Sequence, residues 1–473
     1  MNPKILAFTK YVLGLRVLLF LLFCSVAAYA QMPFDAQKLS PAKLRRINRR
    51  DSLMDKKRFG RAVIELGVDE LFPWSLDRYI RKADYAKISF STVWSHLNPG
   101  SWEFDNDEFQ TNQFGHPYHG SYYFNAFRTN GHTFWESVPA AFVGSYIWET
   151  AAENQNPAPN DFINTSFGGV VLGEMTYRLA NKIINNRSRG FKRQASEVVA
   201  LLVNPTNGLN RILDGKWGRV MRNSNERDSS KVAMAIDGGF RRFGANNING
   251  RFGWYGHLNV LYGTPYEDYK KAFSNININV EVGKDDSSKV NIVSVYGSLT
   301  GWELQSDSSM RHLVILSANY DYIHNEAFFY SGQSVKMNLF SQFMLSHKIK
   351  LNTIVGAGPV ILAAVPDMYL YKGRNYDYGS GLGFNGSLKL TFDQRFAYAI
   401  NYRGGWLKTI NGNASHYFLH TVSNEVSYGF IKNTALVAEW GYFILKGHYD
   451  KHPEVNNTYP YLRASVRYSL DLK

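Results

Sequence analysis

The chain has 473 residues, 45% hydrophobic and only 19% charged, with 31 Phe, 30 Tyr and 10 Trp against a single Cys. That balance excludes a disordered chain, a coiled coil and a collagen-like fibre, and leaves either a large buried core or a body that sits in lipid. The formal net charge of +14 is shared by nucleic-acid binders and by proteins of anionic envelope surfaces.

In chain order, Lys4, Lys10 and Arg16 precede the apolar run Val17 to Phe23 and the small-residue site Ala28-Tyr29-Ala30. This is the layout of a secretory signal peptide over residues 1–30, with cleavage expected before Gln31. The run is short for a spanning helix, which needs about 20 residues. Export turns the basic balance away from nucleic acid and toward outer-membrane lipid. Removing the leader lowers the charge from +14 to +11 and takes Cys24 with it. The mature chain is then expected to hold no disulfide, thiolate metal site or cysteine nucleophile.

Residues 31–97 form a basic N-terminal segment, with ten Lys and Arg between 38 and 61. It reads as a solvated linker or as an arm for anionic lipid or envelope polymer. A short strand-like run, Ile88 to Trp94, follows.

Residues 98–215 read as a small helical module. Helices are expected from Pro117 to Arg128, over 133–153, from Asn160 to Ile184 and from Arg193 to Val203. Thr133, three residues before Glu136, makes a capping box, and Pro205 ends the last helix. Gly168-Gly169 and Ala140-Ala141 predict close helix packing. Within these apolar helices, Glu149 and Glu153, Glu174 and Arg178, and Arg193 and Glu197 are each four apart, the spacing of one helical face.

His116, His119, Glu149, Glu153, Asp161 and Glu174 are the candidate acid/base residues; Arg128, Arg178, Asn160 and Arg211 are the candidate ligand-binding groups. Imidazole and carboxylate also suit zinc or iron, yet the spacing matches no metal signature, so neither metal nor other cofactor is assigned. The plainer reading is that these groups make internal ion pairs and caps for buried polar atoms. There is no GxSxG elbow, HExxH helix or Walker loop, which removes the common hydrolase and nucleotide classes.

From residue 231 the period becomes two. Leu462, Ala464, Val466, Tyr468 and Leu470 alternate with Arg463, Ser465, Arg467, Ser469 and Asp471. About twelve such runs follow one another: 231–243, 253–263, 272–283, 289–304, 311–325, 327–346, 348–363, 376–392, 394–409, 416–432, 434–448 and 459–472. Many reach ten residues or more, the length of a transmembrane strand, and Pro265, Pro366, Pro453 and Pro460 fall at or between runs. The fold class is therefore mainly β: a C-terminal transmembrane β-barrel of about twelve antiparallel strands over 231–473, preceded by the helical module.

Phe104-Asp105-Asn106-Asp107 and the run Asn112-Gln113-Phe114-Gly115-His116-Pro117-Tyr118-His119-Gly120 resemble the signature of the bacterial envelope family known as domain of unknown function 3943. The resemblance continues through Trp148-Glu149, Glu153, Pro159-Asn160-Asp161, Gly173-Glu174 and Asn210-Arg211. It implies an outer-membrane or periplasmic protein of Gram-negative bacteria whose polar residues belong to one site, and it brings no established activity. The leading expectation is an outer-membrane barrel acting as a pore, ligand-binding or structural envelope component, with the helices plugging or capping a lumen that side chains alone need not fill. The alternative is a membrane-embedded enzyme acting on envelope lipid, and a third reading is a soluble β-rich secreted protein.

Overall fold

The computed structural model describes residues 57–220, 230–244, 250, 252–284, 289–307, 309–325, 329–393 and 395–472. The expected signal peptide and most of the basic run 38–61 lie outside them. The described residues divide into two compact units, one of 57–62, 125–132 and 176–220, the other of 63–124, 133–175 and 230–472.

The helices are α1 (Phe59–Ser75), α2 (Phe90–His96), α3 (His116–Arg128), α4 (Phe134–Ala151), α5 (Pro159–Ile163), α6 (Gly169–Ile183), α7 (Gly190–Val203) and α8 (Pro205–Leu213). Wider π turns follow α1 and precede α3 and α6, the last at Asn164–Gly168. Among the described residues, no helix is long and apolar enough to cross a membrane. The Ile88 to Trp94 run, expected as a strand, falls on α2, because extended Ser89 accepts the Thr92 N–H at 3.2 Å and caps a helix there. The capping box forms at Thr133 and Glu136. The helix it starts ends at Ala151, so Glu153 lies past the C-cap rather than on the helical face with Glu149. Asn204 ends α7 and also caps α8 by accepting the Asn207 N–H at 2.9 Å.

In the smaller unit, Glu197 receives Arg193 at 2.6 Å and Arg211 at 2.7 Å, all three buried. Ala180, Ile184 and Ala200 form the apolar core beside them.

In the larger unit, the strands are β1 (Val232–Phe243), β2 (Phe252–Tyr262), β3 (Ile276–Gly283), β4 (Val290–Ser306), β5 (Met310–His324), β6 (Phe329–Ser346), β7 (Ile349–Tyr371), β8 (Arg374–Phe392), β9 (Phe396–Asn411), β10 (Ser415–Ile431), β11 (Thr434–Tyr449) and β12 (Val455–Leu472). Each pairs antiparallel with its neighbour in sequence, and β1 pairs with β12 to close the barrel. Pro366, expected between runs, lies within β7, and Pro460, expected at the start of the last run, lies within β12. Pro460 lies just beyond the last residue pair of the β1 ladder, Phe243 with Tyr461, where its carbonyl accepts the Gly244 N–H at 2.7 Å.

Contacts across the barrel identify its inner face. Arg403 on β9 donates to Asp321 on β5 at 3.1 Å and to Ser294 on β4 at 2.6 Å. These strands are four or more apart around a closed wall, so the contact crosses the lumen. Arg463 on β12 likewise reaches Glu281 on β3 at 2.9 Å, and Tyr449 on β11 donates to Asp367 on β7 at 3.0 Å. An apolar cluster adds Phe243, Val365, Leu407, Tyr417 and Phe443. The wall's own side chains thus meet across the lumen.

The alternation runs polar-in and apolar-out. Arg463 is 6% exposed, whereas its neighbour Leu462 is 58% exposed. Phe240, Trp254, Leu339, Leu382 and Trp406 are also exposed. A water-soluble sandwich has the opposite polarity, so this outer face is built for hydrocarbon.

One outward patch is covered. On β5, Asp321 points inward, so Tyr320 and Tyr322 point outward. Tyr322 pairs with Ser331, Ser331 with Ala364, and Ala364 with Tyr378, and directly paired residues share a face. Tyr320, Tyr322, Ser331, Tyr376 and Tyr378 are all essentially inaccessible. Their cover is helical: the Tyr320 hydroxyl donates to the Gln113 carbonyl at 2.6 Å, and the ring of Phe109 stacks on Tyr322 at 5.6 Å. The helical segments around residues 105–118 and 158–168 therefore dock on the outer wall, where a lumen plug or cap was expected. Outward tyrosine hydroxyls, which lipid cannot satisfy, are the physical reason for that side.

Candidate functional site

The site is assembled where α3, α4 and α5 converge on this patch. Gly120 and Gly169 allow the approach: a Cβ on Gly120 would lie 1.9 Å from the Thr165 carbonyl oxygen, and one on Gly169 would lie 2.5 Å from Gly120 itself. That contact brings Thr165 beside His116, with Oγ1 and Nδ1 3.2 Å apart. The other ring nitrogen, Nε2, faces Asp161 Oδ1 at 3.7 Å. Near the end of α4, Glu149 Oε2 accepts the Ala158 N–H at 2.9 Å, which ties it to the start of α5. One donor atom each of His116, Glu149 and Asp161 lies within 4.8 Å of the others.

A second layer links this cluster to the barrel. Asp105 Oδ1 accepts from Asn112 and Asn160, each at 2.6 Å, and Asn160 also donates to Asp161 at 2.8 Å. The Tyr378 hydroxyl accepts from Asn112 and Asn160 at 3.0 Å and from Gln113 at 3.3 Å. Tyr376 donates to the Asp107 carbonyl at 2.8 Å, and Arg374 donates to that of Asp105 at 2.8 Å. The nearby cation therefore meets carbonyl oxygens, and neither Glu149 nor Asp161 pairs with a Lys or Arg among the described residues.

Burial sets the charge state. It pushes Glu149 well above the usual carboxylate range, with Glu153 adding to the shift and the Ala158 N–H opposing it. Asp161 is raised well above its ordinary value by burial and then by Asp105 and Glu149. Burial lowers His116 to about 4 against the opposing pull of Asp105. Burial thus favours the uncharged form of all three groups.

The structure brings together four of the residues singled out in the sequence: His116, Glu149, Asp161 and Asn160. His119 lies aside, its Nε2 3.1 Å from the Tyr123 hydroxyl and its ring edge-on to Trp148; burial lowers it to about 4. Glu153 accepts the Trp148 Nε1–H at 2.7 Å and is raised to about 7 by burial. Glu174 is buried on α6. Arg128, Arg178 and Arg211 belong to the other unit; Arg128 donates to the His132 carbonyl at 2.9 Å and stacks over Tyr177, and Arg211 is held by Glu197. Sequence reasoning did not single out Thr165, Tyr376 or Tyr378. The one signal was two tyrosines flanking Asp377, a polar triplet in a lipid-facing strand.

Residues 101–206 match the family described as Domain of unknown function (DUF3943), as the resemblance implied. No curated protein matches the chain. Among solved structures, it is similar to the NanC porin at 10% identity and a TM-score of 0.29, over 49% of this chain and 98% of that one. It is similar to the KdgM porin in complex with disordered oligogalacturonate at 14% identity and a TM-score of 0.23, over 50% and 99%. For the outer membrane channel DcaP of Acinetobacter baumannii the values are 9% and 0.24, over 52% and 99%. These likenesses concern barrel architecture alone, which the strand pairing of this chain already establishes.

Proposed function

We propose that the protein is an outer-membrane β-barrel whose wall carries a ligand-binding site in its docked helical module. The observation that carries this reading is the hydrogen bonding of outward-facing Tyr378 to Asn112 and Asn160, which joins the barrel to the polar cluster. Ionisable groups beside hydrocarbon are costly and are retained where they serve a site. Outer-membrane lipid is the partner of the exposed apolar belt, and the basic segment 38–61 is a second contact for anionic headgroups or envelope polymer.

Membrane fractionation with a heat-modifiability gel tests the location. Native mass spectrometry of the detergent-purified chain tests the binding. A retained adduct that Asn160→Ala removes is the expected result; a wild-type chain free of adducts refutes the reading. A pore reading is supported by the polar lumen, where the Arg403 to Asp321 bridge would have to part for conduction. Channels in planar bilayers that widen on Arg403→Ala would favour it.

A further inference from the structure

The proposed binding site has the chemistry of a metal centre. We propose that His116, Glu149 and Asp161 bind one divalent transition-metal ion, with zinc as the best-matched metal. The inference rests on the reading of the helical module as a binding element, and names its occupant.

Geometry comes first. The three donor atoms lie within 4.8 Å of one another, and His116 Nε2 is 3.7 Å from Asp161 Oδ1. A zinc ion at about 2.0–2.2 Å from each ligand holds donors roughly 3.4 Å apart. The remaining adjustment is about an ångström, within the reach of a carboxylate rotation.

Each ligand side chain is also held by a hydrogen bond from or to a neighbour. His116 Nδ1 is engaged by Thr165, Glu149 Oε2 by the Ala158 N–H and Asp161 Oδ1 by Asn160. His116 Nε2 and Glu149 Oε1 make no hydrogen bond among the described residues, and Asp161 Oδ1, which faces His116 Nε2, is steadied by Asn160. Outer-shell bonds of this kind orient metal ligands and fix the imidazole tautomer. Independently, the same network holds two fully buried acceptors that lack donors, Asn112 Oδ1 and Asn164 Oδ1. Buried polar atoms in native structures are rarely left so, and a metal-bound water is a donor that could satisfy them.

Charge agrees with geometry. Two carboxylates that pair with no Lys or Arg among the described residues sum to −2 when ionised, and a divalent cation cancels that sum. Mixed nitrogen and carboxylate donors favour zinc over magnesium or calcium, which prefer all-oxygen sites. Three protein ligands leave a fourth position open, the pattern of sites that bind an exogenous ligand.

The test uses the full chain in detergent, stripped with chelator, dialysed and titrated with zinc chloride by calorimetry. The expected result is one site with a Kd of about 1 μM or tighter. Glu149→Gln and Asp161→Asn should each weaken it by at least about 30-fold, and Thr165→Ala by about 10-fold, with heat-modifiable mobility retained. His416→Ala serves as the control, because His416 and His448 are a surface pair with rings 4.7 Å apart. Absence of zinc binding up to millimolar, or binding lost in His416→Ala and kept in Glu149→Gln, overturns the inference. Native mass spectra separate the two failures: an organic adduct without metal refutes zinc alone, and no adduct of either kind refutes the binding reading as well.

Discussion

Tyr378→Phe is the sharpest perturbation of the joint between helices and wall. It removes one oxygen and leaves the ring, so packing against Phe104 at 5.4 Å is kept. Asn112 retains Asp105 and Tyr376 as acceptors, and Asn160 retains Asp105 and Asp161. Gln113 Nε2 has no other acceptor among the described residues, because its 3.3 Å bond to Tyr378 is its sole one. Stranding one buried donor costs about 1–3 kcal/mol, and the two weakened amides add a fraction of that. We take about 2 kcal/mol, which corresponds to a roughly 30-fold rise in the population of locally opened states. Hydrogen exchange with peptide-level mass spectrometry in detergent reads this directly. Amides of α3 before Phe124 and of α5 should exchange about 30-fold faster, while β9 to β12 stay unchanged. Equal exchange in wild type and variant would refute the joint. Faster exchange spread over the whole barrel would show that Tyr378 supports the wall rather than the docking.

Other perturbations separate the layers. Gly120→Ala places a Cβ against the Thr165 carbonyl and should destabilise the module by about 3 kcal/mol, with limited proteolysis cutting 63–124 while the barrel still shifts on heating. Arg403→Ala breaks the cross-lumen bridge, so single-channel conductance should rise; unchanged conductance would mean that the rest of the lumen packing controls passage. Burial raises Glu70 to about 8, with the Tyr123 hydroxyl opposing and Asp69 adding, and raises Asp69 to about 7. Folded protein then keeps protons that the unfolded chain releases above about pH 4.5, so stability near α1 should fall as pH climbs toward 8, by up to about 1.4 kcal/mol per unit for each group. Exchange at α1 compared at pH 5 and pH 8, after correction for intrinsic rates, checks the sign, and Glu70→Gln should flatten part of the slope.

The barrel leaves the site with a definite setting. Its outer face carries an exposed apolar belt, and the module covers the tyrosine patch. Asp105, Asn112 and Asn160 form the polar bridge between the two. Metal, if held by His116, Glu149 and Asp161, would sit one hydrogen bond beyond this bridge.

What the amino-acid order determined alone is local. A period of two, written in Leu462 to Asp471, is a strand property of each segment, and twelve such segments with short breaks allow few arrangements other than a closed antiparallel wall. Thr133 and Glu136 announce a helix start because the cap joins residues three apart. Short runs were less legible: Ile88 to Trp94 is too brief for its period to decide, and the Ser89 cap settled it as helix. The site was legible in residue type and not in partnership. His116 is 33 positions before Glu149, which is 12 before Asp161, and their convergence depends on two glycines letting α3 and the turn before α6 touch. The tertiary structure also decided which side the helices occupy. Alternation says that Tyr320 and Tyr378 face away from Asp321 and Asp377, but only the closed pairing and the cross-lumen bridge say which of those directions is out. The physical reason is range: propensity and period act within a few residues, whereas burial, charge and sidedness are set by contacts between segments brought together after the chain has closed.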